Sequence, residues 1–209
     1  MTADAGSRAA HWDSVHALRD PAEFAWFQAE PTVSLELVDA LEVGPDAAVV
    51  DVGGGSSRLV DRLLDRGFGD VTVLDVSSGA LDVAQGRLGD RAARVTWLVE
   101  DVCAWRPGRR YDLWHDRAVL HFLVDAADRA RYLDALELGL ASGGAAVIAT
   151  FASDGPEQCS GLPVVRYDPP GLAALLGPGL RLVAERRAEH RTPGGAVQPF
   201  AWAALRRAR

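Results

Sequence analysis

Three carboxylates, each placed where an apolar run stops, carry the first chemical signal in this 209-residue chain. Asp51 lies in VVDVGGGSSR, two residues before Gly53, and Gly55 completes a G-x-G pair. Asp75 ends VTVLD with Val76 after it, and Asp101 follows VTWLVE with Val102 beside it. Glycines at such a stop let the backbone approach a ligand closely. A carboxylate at the next stop can accept two hydrogen bonds from vicinal ribose hydroxyls. The third can accept from an exocyclic amine while Val102 covers a ring face. A dinucleotide fold wants a third glycine where this chain has Arg58. A phosphate-cradling loop of the G-x-x-x-x-G-K type needs a lysine, and the chain has none. The expected ligand therefore carries ribose and adenine without phosphate. Each acid also has a plainer reading: a helix-dipole partner for Asp51, an N-cap for Asp75 and a loop acid for Asp101.

A second cluster, His115-Asp116-Arg117 with His121 nearby, could supply a general base, or Asp116 and Arg117 could pair to shape a loop. His121, on an apolar turn, reads as structural. Tyr167-Asp168-Pro169-Pro170 reads as a helix start, with Asp168 as N-cap and proline in the first turn. A zinc site from Cys159, His115 and His190 has no ligand-spacing signature, so no metal is expected. Cys103 and Cys159 have no CxxC spacing and read as free thiols.

The elements that must position these groups alternate. A helical lead-in runs from His11 to Gln28 and continues as a helix over Ser34–Leu41. Strands are expected at Ala47–Val52, Val71–Asp75, Val95–Glu100, Tyr111–His115 and Ala145–Phe151. Helices are expected at Ser57–Arg66, Ser77–Leu88 (capped by Ser77 or Ser78), Ala126–Leu140 and Gly171–Leu176, with a Gly143-Gly144 turn before the fifth strand. Leu180–His190 and Gln198–Arg206, joined through Thr192-Pro193-Gly194-Gly195, read as a closing antiparallel hairpin. The pattern predicts an α/β, Rossmann-like, doubly wound sheet, mostly parallel, in a single domain over 1–209 with 1–43 as its lead-in or lid.

Composition narrows the partners. The net charge is 22 − 29 = −7 and mean hydropathy is +0.00, which disfavours nucleic-acid and anionic-membrane binding. All 22 basic residues are arginine, so Schiff-base chemistry is excluded. The first ten residues hold no apolar stretch, and no apolar run approaches the ~20 residues a bilayer needs. The Ala, Gly, Arg and Asp bias suits a GC-rich genome, and a bacterial, cytoplasmic monomer or homodimer is expected.

These motifs resemble those of the class I S-adenosylmethionine (SAM)-dependent methyltransferases over nearly the whole chain. DVGGGSS looks like their first motif, VLDVS their ribose-binding acid, EDV their adenine site and YDLWHDRAVLHFL their fourth motif. The resemblance implies seven strands with the last inserted between the fifth and sixth, SAM as cofactor and S-adenosylhomocysteine (SAH) as product. It implies that Gly53 and Gly55 face the methionine moiety, Asp75 and Val76 the ribose, and Asp101 and Val102 the adenine, with Asp51 directly or water-linked to the cofactor. His115, Asp116 and Arg117 would flank a small-molecule acceptor, a thiol or another soft nucleophile. Trp26, in Trp26-Phe27-Gln28, resembles an aromatic element that precedes the first motif in several such enzymes and suits a sulfonium. The HWDSVH…WFQ lead-in suggests protein-lysine methylation as an alternative, although HDRAV departs from the D-K-G-T typical of that group. A non-catalytic SAM-binding protein is the third reading.

Overall fold

The computed structural model describes residues 5–18 and 20–208. The first four residues of the polar start and Arg19 of the lead-in lie outside the described residues. The chain opens with α1 (Ala5–Ala17) and α2 (Thr32–Ala40), then β1 (Ala48–Val52), α3 (Leu59–Asp65), β2 (Asp70–Asp75), α4 (Ser78–Leu88) and β3 (Val95–Val99). It continues through β4 (Tyr111–Arg117), α5 (Ala126–Gly139), β5 (Leu140–Phe151), the two-residue strands β6 (Gln158–Cys159) and β7 (Leu162–Pro163), α6 (Pro169–Leu176), β8 (Leu180–Arg191) and β9 (Val197–Arg207).

Seven strands form one sheet in the order β3-β2-β1-β4-β5-β9-β8, with β9 antiparallel between β5 and β8. The Rossmann-like arrangement and the inserted last strand are those expected. Strand order reverses between β1 and β4, and ligands of open α/β sheets bind at the carboxyl ends of the strands beside such a switch.

Central strands are apolar on both sides because helices cover both faces. Alternation sorts them: Val49, Val71, Val73, Leu113 and Val147 pack with α2, α3 and α4. Val50, Val52, Leu74, Trp114 and Ile148 pack with α5 and α6. The outer strand β8 carries Glu185, Arg186, Arg187 and Glu189 along an open edge, charges that discourage further strand pairing.

Two expectations are corrected. The lead-in is helical only to Ala17, because the Asp20-Pro21 step starts a separate 3-10 turn with Asp20 capping Ala22 N–H, after which residues 24–30 run irregularly. Gly143-Gly144 does not turn the chain between elements. It forms an irregularity within β5, where the pairing jumps from Tyr111–Leu140 to Leu113–Ala145 and Gly143 takes φ 72°. The caps behave as read: Ser77 accepts from Ala80 N–H, and Asp168 accepts from Gly171 N–H.

Candidate active site

A single cavity runs along the carboxyl ends of β3, β2, β1 and β4. Asp51, Gly53, Gly55, Asp75, Val76, Asp101, Val102, Trp26, His115 and Arg117 all line it. It holds about 150 Å³ of enclosed space and opens to solvent at its mouth.

The glycine loop is pressed against two of the acids. A Cβ at Gly54 would stand 2.6 Å from Asp51 Oδ2, and one at Gly55, whose φ is 41°, would stand 2.8 Å from Asp75 Oδ2. No larger residue fits, so the loop lies against the carboxylates as bare backbone, with Gly53 and Gly54 N–H donating to Leu74 O. Arg87 of α4 holds the loop from behind, donating to Ser56 O at 2.8 Å and Ser57 O at 2.7 Å while pairing with Asp61.

Asp75 accepts from Ser77 N–H at 2.9 Å. Burial pushes its carboxyl up to about 7, with Asp51 and Asp13 adding to the rise and the Ser77 bond opposing it. Asp101 accepts from Cys103 N–H at 2.9 Å and pairs with Arg8 at 2.7 Å.

Arg8, Trp12 and His16 lie one helical turn apart on α1 and line the cavity together. The helix is tied across the sheet edge by Arg8 to Asp101 and Asp128, and by Asp13, which accepts from Ser77 Oγ–H at 2.6 Å. Trp12 meets Trp26 and Phe122 edge-on at 5.8 and 5.1 Å, and Phe24 stacks on Trp26 at 4.5 Å. Cavity and lead-in thus share an aromatic wall.

On β4 the side chains divide by the two-residue period of a strand. His115 is the register partner of Asp51 across the parallel β1–β4 pair, and it is 3% exposed. Its Nδ1 lies 2.7 Å from Asp51 Oδ1 and its Nε2 2.9 Å from Ser34 Oγ. With Asp51 accepting from Nδ1–H, Nε2 can accept a hydrogen bond from the Ser34 hydroxyl, giving a buried Asp51–His115–Ser34 chain. Arg117 shares that face. It donates to Trp26 O at 2.9 Å and lies over the Phe200 ring at 5.1 Å, and burial lowers its pKa to about 10. The next residue, Ala118, has φ 75°, an uncommon conformation for a side-chain-bearing residue and one that marks strained loops at functional sites.

Asp116 points the other way and does not reach the cavity, which corrects its expected place beside His115 and Arg117. It is fully buried against α5 and accepts from Val119 N–H at 2.8 Å and Leu120 N–H at 3.1 Å. It holds the loop after β4 and makes no ion pair with Arg117. His190 also stands outside the wall, donating from Nε2 to Ala25 O at 2.7 Å and so supporting the Trp26 segment. His121 is enclosed between Phe122 and Phe151, and burial and Arg117 drive its pKa down to about 3. Among the described residues no three His, Cys, Asp or Glu side chains are grouped to hold a metal ion.

Sequence reasoning missed Ser34, Gly54, Asp13, Arg8, Trp12 and His16. Arg8, Trp12 and His16 had a signal in their four-residue spacing. Ser34 had a weaker one, as a polar residue among the buried Leu35, Leu37 and Val38 of α2.

A family profile described as a methyltransferase domain matches residues 49–144, from β1 into β5. Among solved structures, the 1,6-didemethyltoxoflavin-N1-methyltransferase of Burkholderia thailandensis, bound to 1,6-didemethyltoxoflavin and SAH, is 25% identical at TM-score 0.72, over 100% of this chain and 92% of its own. The seven-stranded sheet with its inserted last strand is the fold of the class I SAM-dependent methyltransferases, and residues 49–144 carry the methyltransferase-domain match. The chain also shares its fold with the N-methyltransferase NodS of Bradyrhizobium japonicum WM9 in complex with SAH, at 16% identity and TM-score 0.71, over 97% and 100% of the two chains. A SAM-dependent methyltransferase from Anabaena variabilis ATCC 29413 aligns at 17% identity and TM-score 0.75, over 97% and 94%. No curated protein matches this chain. The cavity fits SAM: glycine backbone and acids, no lysine, and no third glycine for a pyrophosphate. No described helix is long and apolar enough to cross a membrane.

Proposed function

We propose that this methyltransferase transfers the SAM methyl group to a small-molecule acceptor bound between Trp26, Ser34 and Arg117. SAM supplies an electrophilic methyl on a sulfonium. The chain supplies position and dryness, which account for much of the rate in an in-line displacement. In this reading Asp75 accepts from the ribose hydroxyls, Asp101 and Val102 hold the adenine, and Gly53 and Gly55 face the methionine moiety. Trp26, Trp12 and Phe122 form the wall over the acceptor.

The observation that carries the small-molecule reading is α1 itself, pinned over the cavity by Arg8 and Asp13 and lining it with Trp12 and His16. A helix across the mouth suits an enclosed acceptor better than an extended polypeptide. The acceptor end also opposes lysine. Its charged group is the Arg117 guanidinium, while Asp51 is already engaged by His115, so nothing there draws in an ammonium.

The buried chain from Ser34 to Asp51 gives an acceptor proton a route: an acceptor N–H or O–H passes its proton to Ser34 Oγ as the Ser34 hydroxyl proton moves to His115 Nε2, and Asp51 stabilises the resulting imidazolium. Such a relay favours a nitrogen or oxygen acceptor over a thiol, which is acidic enough to dispense with it.

Methyl-tritiated SAM added to a deproteinised extract and to a whole lysate of the source cells tests the reading. It predicts enzyme-dependent label in the small-molecule fraction of both. A discrete labelled protein band, with no label in small molecules, overturns it in favour of protein methylation.

A further inference from the structure

Arg117 is a buried cation left with open donors. Its one hydrogen bond ties a terminal nitrogen to Trp26 O, while Nε and the second terminal nitrogen are shut from solvent and have no partner among the described residues. The open pair is the edge of the guanidinium that presents two parallel N–H groups, the fork that takes a carboxylate bidentately. Uncompensated burial of a charge is costly, and no described carboxylate pairs with this one. The nearest acid on its face, Asp51, is bonded to His115.

The position separates this fork from the adenine and ribose acids. Arg117 ends β4 and sits over Phe200 of β9 near Cys159 of β6, whereas Asp75 and Asp101 lie beyond β1 on the β2 and β3 side. Resting on the proposed methyl transfer in this cavity, we infer that the acceptor is a flat small molecule bearing a carboxylate, held bidentately by Arg117 against the Trp12–Trp26–Phe122 wall. The aromatic faces hold the ring, and Ser34 lies on the same side of the sheet to receive its proton.

Calorimetry on the SAH-loaded protein tests this with three acids and their neutral amides: benzoate and benzamide, nicotinate and nicotinamide, and indole-3-carboxylate and indole-3-carboxamide. At least one acid should bind about tenfold or more tightly than its amide, the range of a charge-assisted pair. Arg117→Gln should abolish that preference, Arg117→Lys should keep a smaller one, and SAH affinity in both should stay within about threefold of wild type.

Equal binding of acids and amides, or no binding of either, overturns the inference and needs no variant. The cofactor's own carboxylate is the other source of the same chemistry. If Arg117→Gln weakens SAH about tenfold but leaves 5′-methylthioadenosine unchanged, the fork serves the cofactor and the inference fails. Failure of the wild type to bind SAH at all, seen before any probe is added, defeats the underlying reading instead.

Discussion

Asp75 has a carboxyl raised to about 7 by burial in the free protein, yet accepting two ribose hydroxyls requires it ionised. Binding must therefore release a proton. SAH affinity is expected to rise with pH, by up to about tenfold per unit below 7, and to level off above 8. The same shift acts on folding with opposite use: its folded pKa exceeds the unfolded value, so its contribution to stability is present below about pH 4 and lost as pH rises through 7. In Asp75→Asn the pH dependence of SAH binding should flatten, as read by calorimetry from pH 5.5 to 8.5, and a slope unchanged from wild type contradicts the assignment. Asp116 tests a different role. Asp116→Ala strands the Val119 and Leu120 N–H groups, at a cost of about 2–4 kcal/mol. That corresponds to a melting temperature about 5–15 °C lower in a chain of this size. SAH affinity measured well below that temperature should hold within about threefold, whereas a stable but cofactor-blind variant contradicts a structural role.

Helix α1 is held against the cavity by a few polar ties. Arg8→Ala removes the pairs with Asp101 and Asp128, worth on the order of 1 kcal/mol or somewhat more where one partner is buried. Stopped-flow tryptophan fluorescence, reporting on Trp12 and Trp26, should then show SAH entering and leaving about three- to tenfold faster. Unchanged rates would mean that α1 does not gate the cavity.

How far such elements can be read from sequence depends on whether the signal is local. Ser77 and Asp168 were legible as caps because a cap is decided within a few residues. The alternation of β4 was legible as well: His115 and Arg117 two apart share a face, and Asp116 between them cannot. Its misplacement comes from ending the strand at His115 when pairing with β5 carries it to Arg117. The Asp51–His115 contact was beyond local reading because it depends on the register of two strands 64 positions apart. The Gly143-Gly144 irregularity was too, since glycine pairs make turns and bulges alike.

At the scale of the whole molecule, the sheet reversal between β1 and β4 gathers residues from four strands, the loop after β3 and two lead-in helices into one cavity. The lead-in is tied to the sheet through Trp26 O, bonded to Arg117, and Ser34, bonded to His115. We expect residues 1–209 to unfold as one unit, in a single calorimetric transition that moves up by about 5–10 °C with SAH at a hundred times its Kd. Two transitions, only one of which responds to SAH, would separate the lead-in from the sheet as an independent unit. The measurement that reaches the central claim most directly is the titration of SAH into the wild type and Asp75→Ala at pH 8. One site of micromolar affinity, about −8 kcal/mol, weakened about tenfold or more by the substitution, is the result predicted for a cofactor lying along the three acids. Equal affinity in both proteins would contradict that placement and return the ribose, and with it the acceptor end at Arg117, to an open question.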